Sequence, residues 1–356
     1  MISLDQKQLF SVITIFIVVI VITLGFSTYF YLLMSPLNRI DTRIEGDLLF
    51  EGDKEVGFIA SKNSSSHIVH INKGQDYYVY TDKQGARRNH SNFESPEKVD
   101  ILGIGGSFTW GHGIQNENSF LEVLGNGLDV SVTNFALASY GTLQSLQLLE
   151  RNIHLNPKVI IYGFISDHIK RNLKACAPSI SPFCRYVSYV DFDKQDNPYI
   201  HPPKGEYSKI FYERFHEDVI HNPSIFGNIS WGMKLFTYKL MGEKIFSYLK
   251  DDIHKRKSLI YLVNRMYHAA KKINAALIIL FIPPLEREAK RQPPQELLQS
   301  LNKDIIFINL GDIINQYYRD PTKPLLRFKK DGHPNELAHK IMADEIKKVL
   351  KIKKIF

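Results

Sequence analysis

The chain has 356 residues, of which 44% are hydrophobic, 23% are charged and 12% are aromatic. This composition is typical of a folded globular protein and excludes a disordered, collagen-like or cysteine-stapled chain. The formal net charge is +8, but the basic residues are scattered, so we expect no nucleic-acid partner. We find no zinc-ligand spacing and no Walker loop, and we therefore expect neither a metal nor a cofactor.

The first predicted element is a membrane-spanning helix within residues 1–37. No residue from Gln8 to Asn38 is charged, and most are isoleucine, valine, phenylalanine or leucine. A helix crosses the bilayer core with about 20 apolar residues, so this run is long enough. The alternative is a cleaved signal peptide, but no alanine precedes Ala60 to form an Ala-x-Ala cleavage site. We predict an uncleaved anchor that contacts membrane lipid.

The orientation of this anchor depends on two opposing signals. Lys7 precedes the apolar run, whereas Arg39 and Arg43 follow it, which weakly favours a cytoplasmic body. Against this, Cys176 and Cys184 enclose a short proline-containing segment, which favours a small disulfide loop and an oxidising compartment. Two reduced thiols are the alternative. We predict a single-span protein with a cytoplasmic N-terminus and its domain on the outer, periplasmic or extracellular face.

Residues 38–98 are predicted to form a polar lead-in to the main domain. The stretch 76–82 alternates between polar and apolar residues, and Gly85 follows it, so we predict a β-hairpin here. Arg87 and Arg88 come directly after that turn, and a solvated turn is one of two interpretations of this segment.

Residues 99–356 are predicted to form a three-layer α/β/α domain with a parallel central sheet. Short runs rich in isoleucine, valine and leucine alternate with helical stretches, as they do when helices cover both faces of a parallel sheet. The strands are predicted at 99–104, 130–135, 159–164, 276–282 and 304–310. The helices are predicted at 118–127, 142–154, 258–274 and 335–350, with Thr142 as an N-cap.

Residues 168–257 interrupt the alternation of strands and helices. They hold both cysteines, several prolines and many aromatic residues. We interpret this stretch as an insertion that shapes the edge of the active site. Its aromatic side chains suit stacking on sugar rings and suit a small local core equally well.

Two short motifs carry the candidate chemistry. Gly105-Gly-Ser107-Phe-Thr-Trp-Gly111 follows the first buried strand of the domain, where open α/β sheets bind their ligands. Asp331-Gly-His333 stands near the other end, just before the last helix. A serine hydroxyl needs a base to become a nucleophile, and that base needs an orienting acid. We predict Ser107 as nucleophile, His333 as base and Asp331 as the acid.

These motifs resemble the conserved blocks of the SGNH, or GDSL-type, hydrolases. The first is similar to that family's Gly-Asp-Ser-Phe-Thr-x-Gly, and segments 134–142, 162–167 and 331–333 resemble the remaining blocks in the same order. The resemblance covers about residues 77–350. It implies the flavodoxin-like SGNH fold, and the Asp-x-His spacing is similar to the alginate-acetyltransferase-like branch. Anchored relatives also carry a Gly-Phe-Arg segment that 85–87 resembles.

The resemblance also implies an oxyanion hole, with substitutions. Its donors would be the backbone N–H of Ser107, the backbone of Ser139 or Gly141, and the side chain of Ser166. Ser139 replaces the usual glycine, Ser166 replaces the usual asparagine, and Gly106 replaces the aspartate before the nucleophile. Nearby candidates for the site are Gly106, Asn134 and Asp167.

Three functions fit these observations. We favour a membrane-anchored serine esterase that removes O-acyl groups such as acetyl from a cell-envelope glycan or a related small ester. An O-acyltransferase would use the same Ser107 acyl-enzyme and pass the group to a sugar hydroxyl. A catalytically inactive binding module, with partners in an envelope assembly, would explain the substituted oxyanion positions.

Overall fold

The computed structural model describes residues 6–34, 42–70, 73–89, 94–177, 185–204 and 252–356. The chain divides into two compact units, and the first contains residues 1–40. Its described residues form helix α1 (Gln6–Met34), whose side chains are described over 13–26 and are exposed there. Among the described residues, no helix is long and apolar enough to span a membrane. The anchor therefore remains a prediction from the sequence.

The second unit holds all the other described elements. The strands are β1 (Thr42–Gly46), β2 (Phe50–Asp53), β3 (Gly57–Ala60), β4 (Ser65–His70), β5 (Gln75–Thr81), β6 (Arg87–Arg88), β7 (Ile101–Gly105), β8 (Val132–Asn134), β9 (Val159–Phe164), β10 (Cys176–Ala177), β11 (Arg185–Tyr186), β12 (Tyr189–Phe192), β13 (Pro198–His201), β14 (Ala276–Phe281) and β15 (Ile306–Asn309). The helices are α2 (Ser107–Trp110), α3 (Phe120–Leu128), α4 (Thr142–Asn152), α5 (Asp167–Arg171), α6 (Asp252–Lys272), α7 (Gln295–Ser300), α8 (Leu310–Tyr317) and α9 (Glu336–Ile352).

The central sheet has nine strands in the order β1-β4-β5-β6-β8-β7-β9-β14-β15. Strands β8, β7, β9, β14 and β15 are parallel, which confirms the predicted α/β class. The lead-in strands extend this sheet in an antiparallel arrangement, since Arg87 of β6 pairs with Asn134 of β8. The sheet is therefore mixed, and the predicted boundary between residues 98 and 99 falls inside one compact unit.

Strand β9 shows how both faces of the sheet are buried. Val159 and Ile161 belong to a hydrophobic cluster with residues of α3 and α9, whereas Ile160 and Tyr162 belong to a second cluster with residues of α4 and α6. Successive side chains of a strand point to opposite faces, so a strand covered on both sides is apolar throughout. This explains why the parallel strands could be located from the sequence.

The start of α4 differs from the prediction. Gly141, and not Thr142, is the N-cap, and the side chain of Gln144 accepts a hydrogen bond from the Gly141 N–H at 3.0 Å. The Thr142 hydroxyl instead accepts hydrogen bonds from the Tyr162 hydroxyl at 2.9 Å and from the Asn172 side-chain amide at 3.1 Å. Thr142 thus ties α4 to strand β9 and to the end of α5.

The predicted insertion at 168–257 is described only in part. Two small antiparallel pairs, β10 with β11 and β12 with β13, occupy its first portion. Among the described residues, Cys176 is not a free thiol. Cys184 and residues 205–251, with many of the aromatic side chains, lie outside the described residues. The disulfide and the substrate-shaping role of the insertion remain predictions.

Candidate active site

Ser107 lies at the first position of α2, directly after strand β7. Gly105 ends that strand with a φ of +150°, and a Cβ there would lie 2.3 Å from Thr109 Oγ1 and 2.8 Å from the Gly163 carbonyl oxygen. Only a residue without a side chain fits between these neighbours. The glycine therefore permits the sharp strand-to-helix turn that carries Ser107, whose side chain is mostly buried.

A tight loop before α9 carries the other two members of the predicted triad. Phe328 donates its N–H to the His333 carbonyl at 3.1 Å, which closes the loop over the residues between them. Asn335 caps α9 by accepting from the Ala338 N–H at 3.1 Å, and its amide donates to the Leu325 carbonyl at 2.7 Å. Both ends of this loop are therefore fixed by hydrogen bonds.

The three predicted catalytic side chains form one hydrogen-bonded chain. His333 Nε2 lies 2.9 Å from Ser107 Oγ, and His333 Nδ1 lies 2.7 Å from Asp331 Oδ1. Asp331 Oδ1 also accepts from the His333 backbone N–H at 3.2 Å. When Nδ1 carries the proton, Nε2 presents its lone pair to the serine hydroxyl, which is the tautomer that a general base requires.

The carboxylate of Asp331 has further partners that the sequence analysis missed. Lys73 Nζ lies 3.0 Å from Oδ2, and Gln75 Nε2 donates to the same oxygen at 3.4 Å. Burial alone would raise the pKa of Asp331, but the hydrogen bonds and charges of His333 and Lys73 hold that pKa well below its usual range. Asp331 is therefore ionised throughout the neutral range.

A second histidine packs against His333. The His112 ring lies 4.3 Å from the His333 ring, between centroids, and His112 Nδ1 lies 3.2 Å from the Tyr77 hydroxyl. Burial, followed by the charge of protonated His333 and His70, holds the pKa of His112 well below its usual value. Nothing in the local sequence of His112 separates a pocket residue from an ordinary loop residue.

His112, Asp331 and His333 also offer metal-ligating atoms that lie within 4.8 Å of one another. However, both ring nitrogens of His333 are engaged, one by Ser107 and one by Asp331. A metal on His333 would have to displace one of these hydrogen bonds. The donor set therefore suits proton transfer better than metal binding.

The predicted oxyanion donors differ in how available they are. Ser139 has a φ of +75°, in the left-handed region that glycine adopts most easily. Among the described residues, no acceptor is bonded to the backbone N–H of Ser107 or Ser139. Gly141 is less suitable than predicted, because its N–H already donates to Gln144.

The remaining predicted site residues occupy different positions. Ser166 and Asp167 are exposed at the start of α5, where Asp167 lies 3.8 Å from Arg171 in a weak ion pair. Asn134 is buried, donates to the Thr109 carbonyl at 3.1 Å and accepts from the Ala136 N–H at 3.1 Å. Asn134 therefore ties the end of β8 to the helix that carries Ser107.

Gly106 makes room for a buried histidine. A Cβ on this residue would lie 2.6 Å from His168 Nε2 and 3.4 Å from Arg171 Nη1. His168 is fully buried, its Nδ1 lies 2.8 Å from the Tyr162 hydroxyl, and its Nε2 has no hydrogen-bond partner among the described residues. Any side chain at residue 106 would therefore collide with His168, so this position requires glycine while the histidine is in place.

Arg87 is buried and supports the loop after α2, and it is not part of a solvated turn. Its guanidinium is fully buried and donates to the carbonyls of Gly111 at 2.7 Å, Ile114 at 2.6 Å and, more closely, Trp110. Burial lowers its pKa to about 10, so it remains charged at neutral pH. The likeness of 85–87 to the Gly-Phe-Arg segment was the sequence signal for this residue.

Comparisons with known proteins give distant structural likenesses. No protein-family model and no curated protein matches the sequence. Among solved structures, a G-D-S-L family lipolytic protein from Desulfitobacterium hafniense DCB-2 aligns with 71% of this chain and 100% of its own, at 13% identity and a TM-score of 0.36. An acetyl-xylooligosaccharide esterase from Geobacillus Stearmophilus aligns with 70% and 92% at 12% identity, and an acetyl xylan esterase from Butyrivibrio proteoclasticus with 84% and 73% at 10%, both with TM-scores of 0.36. At these scores the likeness carries no argument about the reaction.

Proposed function

We propose that this protein is a serine ester hydrolase of the SGNH type that removes O-acyl groups through an acyl-enzyme on Ser107. The observation that carries the proposal is the continuous hydrogen-bonded chain from Ser107 Oγ through His333 to Asp331. Nucleophile, base and orienting acid are in hydrogen-bond contact, which is the geometry that activates a serine hydroxyl.

The first half of the reaction transfers the acyl group to the enzyme. Ser107 Oγ attacks the ester carbonyl carbon while His333 Nε2 takes the hydroxyl proton. The negative charge that forms on the carbonyl oxygen would be stabilised by the free N–H groups of Ser107 and Ser139. The C–O bond to the alcohol then breaks, and His333 returns its proton to the leaving oxygen.

The second half regenerates the serine. A water molecule gives a proton to His333 Nε2, and its oxygen attacks the acyl carbon. The bond to Ser107 Oγ breaks, the proton passes from His333 to that oxygen, and a carboxylic acid leaves. Asp331 stays ionised and stabilises the imidazolium in both halves.

An acylated glycan of the cell envelope is the substrate that we propose, with the domain on the outer face and the N-terminal helix in the membrane. The support comes from the sequence, namely the uncharged run from Gln8 to Asn38 and the closely spaced cysteines. Protease added to cells whose outer envelope is permeabilised and whose cytoplasmic membrane is intact should degrade the domain. Full protection of the domain would instead locate it in the cytoplasm.

An O-acyltransferase is the second candidate, and the spacing of Asp331-Gly-His333 favours it. The acyl-enzyme would be the same, but a sugar hydroxyl would replace water as the acceptor. Acetate release from an activated ester without added glycan supports hydrolysis. Acyl transfer that appears only when a glycan is present would support the transferase.

The decisive experiment is labelling of the full-length, detergent-solubilised protein with a fluorophosphonate probe, followed by mass spectrometry. We expect an adduct on Ser107 that is absent from Ser107→Ala and strongly reduced in His333→Ala. Ser131→Ala, which changes a serine on the exposed surface, is the matched control and should label normally. No adduct in the folded wild type would overturn the proposal and favour the inactive binding module.

A further inference from the structure

The antiparallel lead-in reaches directly into the triad. Lys73 and Gly74 precede β5, and both donate their N–H groups to the His70 carbonyl, at 3.1 and 2.9 Å. Gly74 adopts a φ of +66°, which a turn of this tightness requires. The Lys73 backbone is therefore held at the end of β4, and its side chain extends to Asp331.

The two carboxylate oxygens of Asp331 contact different groups. Oδ1 binds the His333 ring at 2.7 Å, whereas Oδ2 accepts from Lys73 at 3.0 Å and from Gln75 at 3.4 Å. The Asp331 side chain is only 8% exposed, and Gln75 is buried, so these contacts are shielded from water. The ammonium of Lys73 therefore acts on a mostly buried carboxylate, where a charge is weakly screened.

Among the described residues around His333, Lys73 is the cation whose charged group contacts the Asp331 carboxylate. His112 packs on the His333 ring and is neutral at pH 7, because burial and then the charges of His333 and His70 lower its pKa. Phe108 covers the ring at 5.3 Å, between centroids. Arg327 donates to the Asp331 backbone carbonyl at 3.3 Å, and its own charge faces Glu286 at 3.6 Å.

We propose that Lys73 is a positioning residue that the hairpin of β4 and β5 supplies to the site, fixing Asp331 and setting the lower pH limit of hydrolysis. An isolated carboxylate would favour the protonated imidazole strongly, and a protonated His333 cannot accept the Ser107 proton. The ammonium on Oδ2 offsets part of that negative charge, so the base remains available at lower pH. This inference rests on the proposed function of Ser107, His333 and Asp331.

The test compares Lys73→Met and Lys73→Arg with wild type in the full-length protein, with Lys83→Met as the control at an exposed lysine. The measurement is kcat/KM for p-nitrophenyl acetate between about pH 5 and pH 9. We expect the acid limb of the pH profile, the range in which kcat/KM falls as pH decreases, to lie about one pH unit higher in Lys73→Met than in wild type. Lys73→Arg should restore the wild-type limb, and Lys83→Met should leave it unchanged. An acid limb that does not move in Lys73→Met overturns the inference.

A second measurement separates this inference from the proposed function. If wild type neither labels nor hydrolyses esters, the proposed function fails, and the melting temperatures of Lys73→Met, Asp331→Asn and the double variant still report the contact. A smaller loss from Lys73→Met in the Asp331→Asn background supports the fixing of Asp331 by Lys73. Equal losses in both backgrounds overturn it.

Discussion

Gly106, directly before Ser107, and His168 pack as a complementary pair. A Cβ at residue 106 would lie 2.6 Å from His168 Nε2, and the histidine ring is held in place by Tyr162. We expect Gly106→Ala to destabilise the fold by about 1–3 kcal/mol, as overpacking in a buried region does. In the double variant Gly106→Ala/His168→Ala the added methyl group should cost much less, because the clashing ring is gone.

Urea unfolding of wild type, the two single variants and the double variant measures this coupling. Gly127→Ala is the matched control, since the nearest atom to its Cβ would be the end of the flexible Lys347 side chain at 3.1 Å. Additive effects of Gly106→Ala and His168→Ala would contradict the pairing.

The ring nitrogens of His333 permit a prediction about metals. Both are engaged by protein groups, so the proposed ester hydrolysis should need no metal ion. We expect EDTA to leave kcat/KM within about twofold of its starting value. A slow loss of activity in EDTA that added zinc restores would point to a metal on His112, Asp331 and His333.

At the scale of elements, Arg87 joins the lead-in to the loop after α2. Its guanidinium satisfies the buried carbonyls of Trp110, Gly111 and Ile114. Arg87→Met should therefore lower the free energy of unfolding by at least about 3 kcal/mol, because several buried acceptors lose their donor together. Arg87→Lys should recover only part of this loss, since one ammonium lacks the planar fork of a guanidinium.

Chemical denaturation tests this prediction, with Arg43→Met as the comparison. Arg43 is about half exposed, and its ionic contact among the described residues is a 3.8 Å pair with Glu45, so its removal should change stability by less than about 0.5 kcal/mol. A similar small change in Arg87→Met would show that the loop after α2 does not depend on this arginine.

The parallel strands could be located from the sequence because strands buried on both faces appear as short apolar runs. Strand β9 coincides with the predicted strand 159–164. Strands β8, β14 and β15 lie within their predicted ranges, and β7 begins two residues later and ends one residue later than predicted. The extension of the sheet by β1, β4, β5 and β6 could not be predicted in the same way. It depends on pairing between distant segments, such as Arg87 with Asn134, which no local periodicity records.

The same distinction holds for the candidate site. Ser107, His333 and Asp331 stand in two compact motifs, and the structure brings these motifs together. Lys73 has no motif of its own and contacts Asp331 only because the connection between β4 and β5 lies next to the loop before α9 in the fold. Groups that modify a triad in this way come from tertiary packing, so a sequence pattern does not reveal them.

At the scale of the whole molecule, buried histidines should make stability depend on pH. Burial lowers the pKa of His339 to about 3 from an ordinary value of 6.5, and burial likewise lowers the pKa of His112 and His168. As pH falls below about 6.5, these histidines become protonated in the unfolded chain but stay neutral in the folded chain. The free energy of unfolding therefore decreases with falling pH, by up to about 1.4 kcal/mol per pH unit for each such histidine.

Urea unfolding between about pH 7.5 and pH 4.5 checks this, since the contribution of Asp331, whose pKa is lowered in the fold, is lost only as pH falls from its ordinary pKa of 3.8 downward, which is below the window. His339→Gln removes the hydrogen bond that its ring accepts from the Phe120 N–H, so it should lower stability at pH 7.5. It should also make the acid-side slope shallower, because one titrating group is gone. His154→Gln, at an exposed position, should keep the wild-type slope. Parallel slopes for His339→Gln and wild type would mean that His339 does not stay neutral in the folded protein.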